Sequence, residues 1–536
     1  MDASKIITRL EGLKSERILH DAIWRECFDL TYPLRGSGFN GVKLTAQQGA
    51  DKNADNLDST ATDSVRVLAS SMQSGATPAN SLWFGLDAGT ESEEEKYYLS
   101  EAAQVLWENI HMSNFDSVGY ESLIDMVAAG WFAMYIGEDS IKGGLSFEGW
   151  PLAQCYCTST NAKGTVDTVY RDYKLSASQA NNQFKQSGDE LPESITLALA
   201  QNKPDMMFNF IHCVEPRSTY MLNAKMAKNM PIASCHVEVE SKKVVRESGY
   251  QEMPVVVPRW MMIPGTAYAV GPVYDALADI RELNALKRLD KMSAEINIAG
   301  MWIAENDGVL NPTTIKVGPR KVIVANSVDS MKELKTSANW QLADERISQL
   351  QNSIRKILMA NHLEPQDGPV ISATEAHINV NLIRQLLGPV FGRMQSEYLQ
   401  PLIERCFGIA YRAGALGEAP ASLINREFHV RYLSPLARAQ KLEDVTAIER
   451  LNNNIGQIVA IDQTIVDNID FDEQARVLAE ALGVPVKIMR KKEDVQNLRE
   501  QRNQAMQQQQ QQAMAQQLQA KAGEAAINTA LQPKAA

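Results

Sequence analysis

The chain has 536 residues, 53 of them basic and 65 acidic, for a formal net charge of −12 at pH 7. With 44% hydrophobic and 22% charged residues it can bury real cores, which excludes a wholly disordered chain. Phosphate neutralisation normally needs a basic surface, so an acidic chain of this size is a poor candidate for a free nucleic-acid binder.

At about 150 residues per domain, the length suggests about three to four domain-sized units. Six cysteines are too sparse for a disulfide framework and point to a reducing compartment. Cys155-Tyr156-Cys157 has the wrong spacing for a zinc knuckle, and its nearest downstream partners are His212 and Cys213. These cysteines read as small buried hydrophobes, and neither metal nor cofactor is expected. The N-terminus opens an amphipathic pattern and not a signal peptide. The most apolar stretch, 253–263, is interrupted by Pro254, Pro258 and Arg259 and falls short of the ~20 apolar residues of a membrane helix. Gly36-Ser37-Gly38-Phe39-Asn40-Gly41 fits G-x-G-x-x-G, but it follows a helix and leads into polar sequence, so it reads as a loop. P-loop, H-E-x-x-H and G-x-S-x-G motifs are missing and the seven histidines are scattered, so no catalytic residue and no enzyme is expected.

In chain order, Ile6, Leu10, Leu13, Leu19, Ile23, Cys27 and Leu30 recur at helical spacing over residues 1–32. A Gly- and Asn-rich loop is expected to about Leu57. Leu57-Asp58-Ser59-Thr60-Ala61-Thr62-Asp63 then leads into a helix that Thr77-Pro78 ends. Trp83-Phe84-Gly85-Leu86 reads as a short strand, followed by helices to about Met112 and over 120–134. From about 145 to 264 strands dominate: residues 165–170 and 236–240 alternate with period two, and a helix over 176–186 interrupts them. The first half is therefore α+β.

Gly271-Pro272 opens a long helix, with proline where its missing N–H costs nothing. Val273, Leu277, Ile280, Leu283, Leu286, Leu289, Met292 and Ile296 recur along it. Gly308, Asn311-Pro312, Gly318-Pro319 and the run from Lys321 to Val324 mark a small β-rich module. Trp340, Ala343, Ile347, Leu350, Ile354 and Ile357 then form a 3.5-residue seam, as a helix packing along another helix needs. After a Pro/Gly-rich loop, Ser372-Ala373-Thr374-Glu375 fits a capping box whose helix runs to about Tyr411, with a kink expected at Gly388-Pro389. Residues 428–433 read as a strand, and helices resume near Leu436. In the low-complexity end, ten of the sixteen residues 504–519 are Gln, which suits either a disordered tail or a helix supported by neighbouring copies.

The order of these motifs resembles the head-to-tail connecting, or portal, proteins of short-tailed, T7-like bacteriophages. The resemblance rests on Leu57-Asp58-Ser59-Thr60-Ala61-Thr62, on Thr77-Pro78 through Trp83-Phe84, and on Gly164-Thr165-Val166-Asp167-Thr168-Val169-Tyr170-Arg171. It is clearest from Tyr268-Ala269-Val270-Gly271-Pro272 through Leu283-Asn284, and it covers about residues 1–480. It implies a helix-rich α+β portal-type subunit, usually one of twelve in a ring (a homododecamer) at one capsid vertex of the virion. Such a ring is assembled in the host cytoplasm with major capsid and scaffolding proteins. Double-stranded DNA is packaged and ejected through its channel, and it docks terminase and then tail adaptor proteins, with no membrane involved.

Mapped onto this chain, 1–270 forms an α+β wing, 271–300 and 337–362 the two stem helices, and 301–336 the clip. Residues 363–372 are the tunnel loop, 373–435 the kinked tunnel helix and return to the wing, 436–492 the helical crown, and 493–536 a Gln/Ala-rich tail or barrel helix. Glu345, Gln349, Asn352 and Lys356 lie opposite the seam of the second stem helix and are candidates for the DNA channel, against the plainer reading of a solvated face. Gln366, Asp367 and Arg384 are further candidates for DNA contact. Lys316, Arg320 and Lys321 in the clip are candidates for terminase and tail docking. Two other readings compete: an oligomeric adaptor or scaffold that does not conduct DNA, and an enzyme using Cys155, Cys157 and His212.

Overall fold

The N-terminal apolar spacing folds as α1 (Ala3–Asp29), which buries Ile6, Leu10, Leu13, Trp24, Cys27 and Phe28. Asp2 caps it by accepting from the Ser4 amide at 3.0 Å. Leu19, part of the expected apolar set, is instead exposed, and Arg17 and Asp21 are buried. The reason lies far along the chain, where the Arg17 guanidinium donates to the backbone carbonyls of Leu152 and Ala153 in the 3-10 turn Leu152–Gln154 and to that of Cys155 just after it. This computed structural model describes residues 2–508, apart from 42, 90–91, 140–142, 163, 186–187, 222–225, 300–301, 305–330, 334–339, 364–387, 389, 424–428, 433–434, 459–467, 483–489 and 491–493.

The G-x-G-x-x-G match falls in two 3-10 turns, Pro33–Gly36 and Phe39–Gly41, preceded by α1 and not by a strand. The expected loop after it contains α2 (Ala46–Asp55), started by a Thr45/Gln48 capping box that the polar sequence disguises. α3 (Thr60–Ala76), β1 (Phe84–Asp87), α4 (Glu93–Met112) and α5 (Phe115–Ala129) follow. α5 stops short of the expected 134 because Gly130, at φ 93°, caps it in the left-handed region.

The chain then enters β2 (Ala133–Glu138), β3 (Leu145–Trp150), β4 (Cys155–Thr158) and β5 (Thr168–Ser176). α6 (Ala177–Phe184), with a Ser176/Gln179 capping box, and α7 (Glu193–Ala200) come before β6 (Met207–Pro216), β7 (Ile232–Glu238), β8 (Lys243–Tyr250) and β9 (Val255–Val256). β4 to β8 form a five-stranded antiparallel sheet in sequence order, and β3-β2-β9 a three-stranded one. Alternation splits the larger sheet between two cores. Tyr170, Ile211, Cys213, Cys235 and Val237 pack against α1, whereas Tyr173, Phe208, Phe210 and Val245 pack against α6 and α7.

β10 (Met261–Met262) and β11 (Ala269–Val270) pair just before α8 (Pro272–Ala299). β12 (Trp302–Ala304) and β13 (Met331–Glu333) pair antiparallel, and α9 (Trp340–Ile357) and α10 (Ala360–Leu363) follow. A π-helical turn, Gln395–Leu399, runs into α11 (Gln400–Arg412). Gly388 is helical and exposed, and Pro389, its partner in the expected kink, lies outside the described residues. The described irregularity sits at 395–399, where Pro401 cannot donate to the preceding turn. The Ser372 capping box also lies outside.

The chain divides into two units, 1–83 with 104–417 and 84–103 with 418–536. In the second, β1 pairs antiparallel with β14 (His429–Tyr432), and α12 (Pro435–Ile458) packs on α13 (Phe471–Leu482). Among the described residues, no helix is long and apolar enough to cross a membrane. The fold is a mixed, helix-rich α+β one.

Candidate channel-facing helix pair

The start of α8 is held on three sides. Ahead of it, the Ala269 carbonyl accepts from Trp24 Nε1 at 2.9 Å, and the Tyr268 hydroxyl accepts from the Cys157 amide at 3.1 Å. The Tyr268 ring packs at 5.2 Å from Trp24 and 5.4 Å from Trp131. Gly271 lies so close to the end of α5 that a Cβ would stand 2.5 Å from the Val127 carbonyl oxygen and 2.8 Å from the Gly130 nitrogen. Tyr268-Ala269-Val270-Gly271-Pro272 is therefore an aromatic anchor, a glycine that permits close approach, and a proline that starts the helix.

α8 and α9 run antiparallel, since Glu282 accepts from Arg346 and Asp279 from Ser353. The distances are 3.0 and 2.8 Å from the guanidinium and 2.6 Å from the hydroxyl. The seam of α9 is buried at Ile347, Leu350 and Ile354. It continues through Leu358, which is buried where Ile357 had been expected, and Ile357 is half-buried. On α8, Val273, Leu277, Ile280 and Leu283 are buried, Leu286 is half-buried, and Leu289 and Met292 are exposed.

A second joint, which sequence reasoning did not single out as functional, ties this hairpin to the N-terminal helices. Asp58 accepts from the Thr60 amide at 2.9 Å and from the Gln351 amide group at 2.8 Å, with Lys287 at 3.9 Å. Burial raises the Asp58 carboxyl, but these hydrogen bonds and the Lys287 charge outweigh it and hold the group below its ordinary value. Asn284 accepts from the Leu57 amide at 2.9 Å and donates to the Asp55 carbonyl at 3.1 Å. The two stretches of sequence that begin at Leu57 and end at Leu283-Asn284 are thus the two halves of one clamp. The usable signal was polar residues at fixed places beside apolar helical runs.

With its apolar side fixed, α9 turns Glu345, Gln349, Asn352 and Lys356 outward, all exposed and spaced four, three and four residues apart on one face. Among the described residues, none of the four is held by a side-chain hydrogen bond. One acid, two amides and one base make a hydrated face with no net charge. Gln366, Asp367 and Arg384 lie outside the described residues, as do Lys316, Arg320 and Lys321.

The residues of the enzyme reading form no such site. Cys155 and Cys157 are buried; burial pushes the Cys155 thiol up to about 12 and Cys157 well above its ordinary value, which suppresses the reactive thiolate. His212 points into the sheet core, bonded to Ser234 at 2.9 Å and stacked on His236 at 3.9 Å. Among the described residues, no group of three His, Cys, Asp or Glu side chains could hold a metal ion.

Comparison with known proteins agrees with this arrangement of motifs. The chain is 25% identical over 523 residues to the probable portal protein of Bordetella phage BPP-1, covering 93% of this chain and 90% of that protein. It is 27% identical over 530 residues to the portal protein of Salmonella phage epsilon15, covering 94% and 91%. Residues 3–489 match the family described as bacteriophage head to tail connecting protein. The chain belongs to that family.

Proposed function

We propose that copies of this chain form a ring of twelve at one capsid vertex, and that double-stranded DNA is packaged and later ejected through its centre. α8 and α9 are the stem, and the segment between them is the clip that meets terminase and then tail proteins. Capsid and scaffolding proteins surround the wing, and the ring acts without catalysis of its own. The observation that carries the channel assignment is the face of α9, exposed and uncharged overall opposite a seam buried at Ile347, Leu350 and Ile354.

The chemistry suits passage and not capture. Each basic contact to phosphate adds affinity that translocation must break. Glu345 and Lys356 offset each other, while Gln349 and Asn352 offer only neutral hydrogen bonds that water replaces. With no excess of basic groups on it, the face gives the phosphates no net charge to hold them.

A bulky maleimide on Gln349→Cys tests this, in a background where the buried native cysteines are left unlabelled. Labelled rings should assemble normally and package markedly less DNA than unlabelled rings. Equal packaging by labelled and unlabelled rings would overturn the channel assignment.

A further inference from the structure

A groove of about 940 Å³ in the first unit is lined by α1, the two 3-10 turns after it, α5 and the strands β3 to β6. No residue of α8 or α9 lines it. Ile18, Leu34 and Met207 stand along it 56%, 61% and 53% exposed, although all three are apolar. The acids of the lining are already taken. Asp21 pairs with Arg17 at 3.0 Å, Asp125 and Glu121 with Arg35 at 2.6 and 3.5 Å, and Asp172 with Lys14. Lys43 and Lys174 are exposed and pair with no carboxylate among the described residues. In a chain of net charge −12, this groove keeps surplus positive charge beside open apolar surface.

The backbone beside the groove is closed to an added strand. β4 is an edge strand of its sheet, but its Cys155 carbonyl accepts from Arg17 and its Cys155 amide donates to the Leu152 carbonyl. Its Cys157 amide donates to the Tyr268 hydroxyl. An occupant must therefore bind through side chains, as a helix laid in a groove does. A nucleic-acid backbone would engage the lysines and leave the three apolar side chains in water. We propose that the groove receives an amphipathic helix of a partner protein, apolar on the face laid against Ile18, Leu34 and Met207 and acidic where it meets Lys43 and Lys174. This inference does not rest on the ring reading.

The test is a selection from random peptides about 16 residues long, enough for about four helical turns, on the assembled full-length protein. Peptides that also bind the exposed-residue variant Leu34→Ser with Lys43→Glu and Lys174→Glu are discarded. The retained sequences should be net acidic, with apolar residues at three- and four-residue spacing, and should gain helical circular dichroism on binding. The most enriched peptide should lose at least about tenfold in affinity for Lys43→Glu with Lys174→Glu. A copy with Lys in place of its acids should bind that variant and not the wild type, which a misfolded variant would not do. Net basic sequences, apolar spacing of period two, no retained sequence, or failure of the charge-swapped pair would each overturn the inference. So would peptides that bind single chains but not rings, because a second copy would then fill the groove. None of these outcomes involves the face of α9, so the ring reading stands in each case.

Discussion

Arg259 and Glu397 meet as a bidentate ion pair, Nη2 to Oε1 at 2.7 Å and Nε to Oε2 at 3.0 Å, with the guanidinium buried. The remaining nitrogen, Nη1, donates to the Gly164 carbonyl at 2.9 Å. The pair ties the segment between β9 and β10 to the π-helical turn ahead of α11. Glu397→Ala would strand a buried positive charge, and thermal unfolding should show a loss of about 3–5 kcal/mol. Arg259→Met with Glu397→Met should recover most of it, because no unpaired charge remains. A single variant as stable as wild type would contradict this account of the pair.

Gly408 leaves room for the Glu252 carboxylate, which accepts from Arg405 at 2.9 Å and from Arg412 at 2.6 and 2.9 Å. Burial raises the Glu252 carboxyl, but the bonds and charges of Arg412 and Arg405 outweigh this and hold it below the usual carboxylate value. A Cβ at position 408 would collide with that carboxylate. Gly408→Ala should therefore lower stability by about 1–3 kcal/mol, read as a lower urea midpoint at unchanged slope. An unchanged midpoint would show that the carboxylate has another place to go.

The Asp58 clamp predicts a local effect. Asp58→Ala removes the partner of the Thr60 amide, the Gln351 side chain and Lys287 together. The expected loss is about 1–2 kcal/mol, with hydrogen exchange accelerated in α3 and α9 more than in α5. Uniform acceleration would mean that the clamp does not act on the hairpin.

His212 and His236 predict acid sensitivity. They stack at 3.9 Å inside the sheet core, faced by Tyr173 and Ser234, the rings of Trp150, Tyr135 and Phe184, and the charges of Arg171 and Arg246. Burial first, then those arginines, pushes His236 down to about 3 from its ordinary 6.5; burial, His236 and the arginines push His212 well below the same value. The folded state thus stays neutral where the unfolded chain takes up protons. Stability from these groups is complete above about pH 6.5 and is lost as pH falls towards 3, by about 1.4 kcal/mol per pH unit for each histidine. Tm measured from pH 7 to 4 should fall accordingly, and His236→Phe should roughly halve the contribution of the pair. A flat profile would contradict it.

How much of this was legible in the sequence follows from the range of the forces involved. α1, α3, α8 and α9 are marked by apolar spacing within one helix, and Gly271-Pro272 marks its own helix start. α2 was hidden because its stability lies in a capping box and not in an apolar face. The π-helical turn was hidden because its cause, Pro401, follows it. Arg17 and Arg259 were unreadable because what buries them lies far along the chain, at Leu152 and at Glu397. The face of α9 was legible position by position, but what it faces depends on other copies.

The most direct test of the central claim is the structure of the purified, self-assembled protein by electron cryo-microscopy. The account predicts a closed ring with an axial hole wide enough for duplex DNA, lined by Glu345, Gln349, Asn352 and Lys356 of α9. Single chains, open filaments, or a ring with that face turned away from the axis would contradict it.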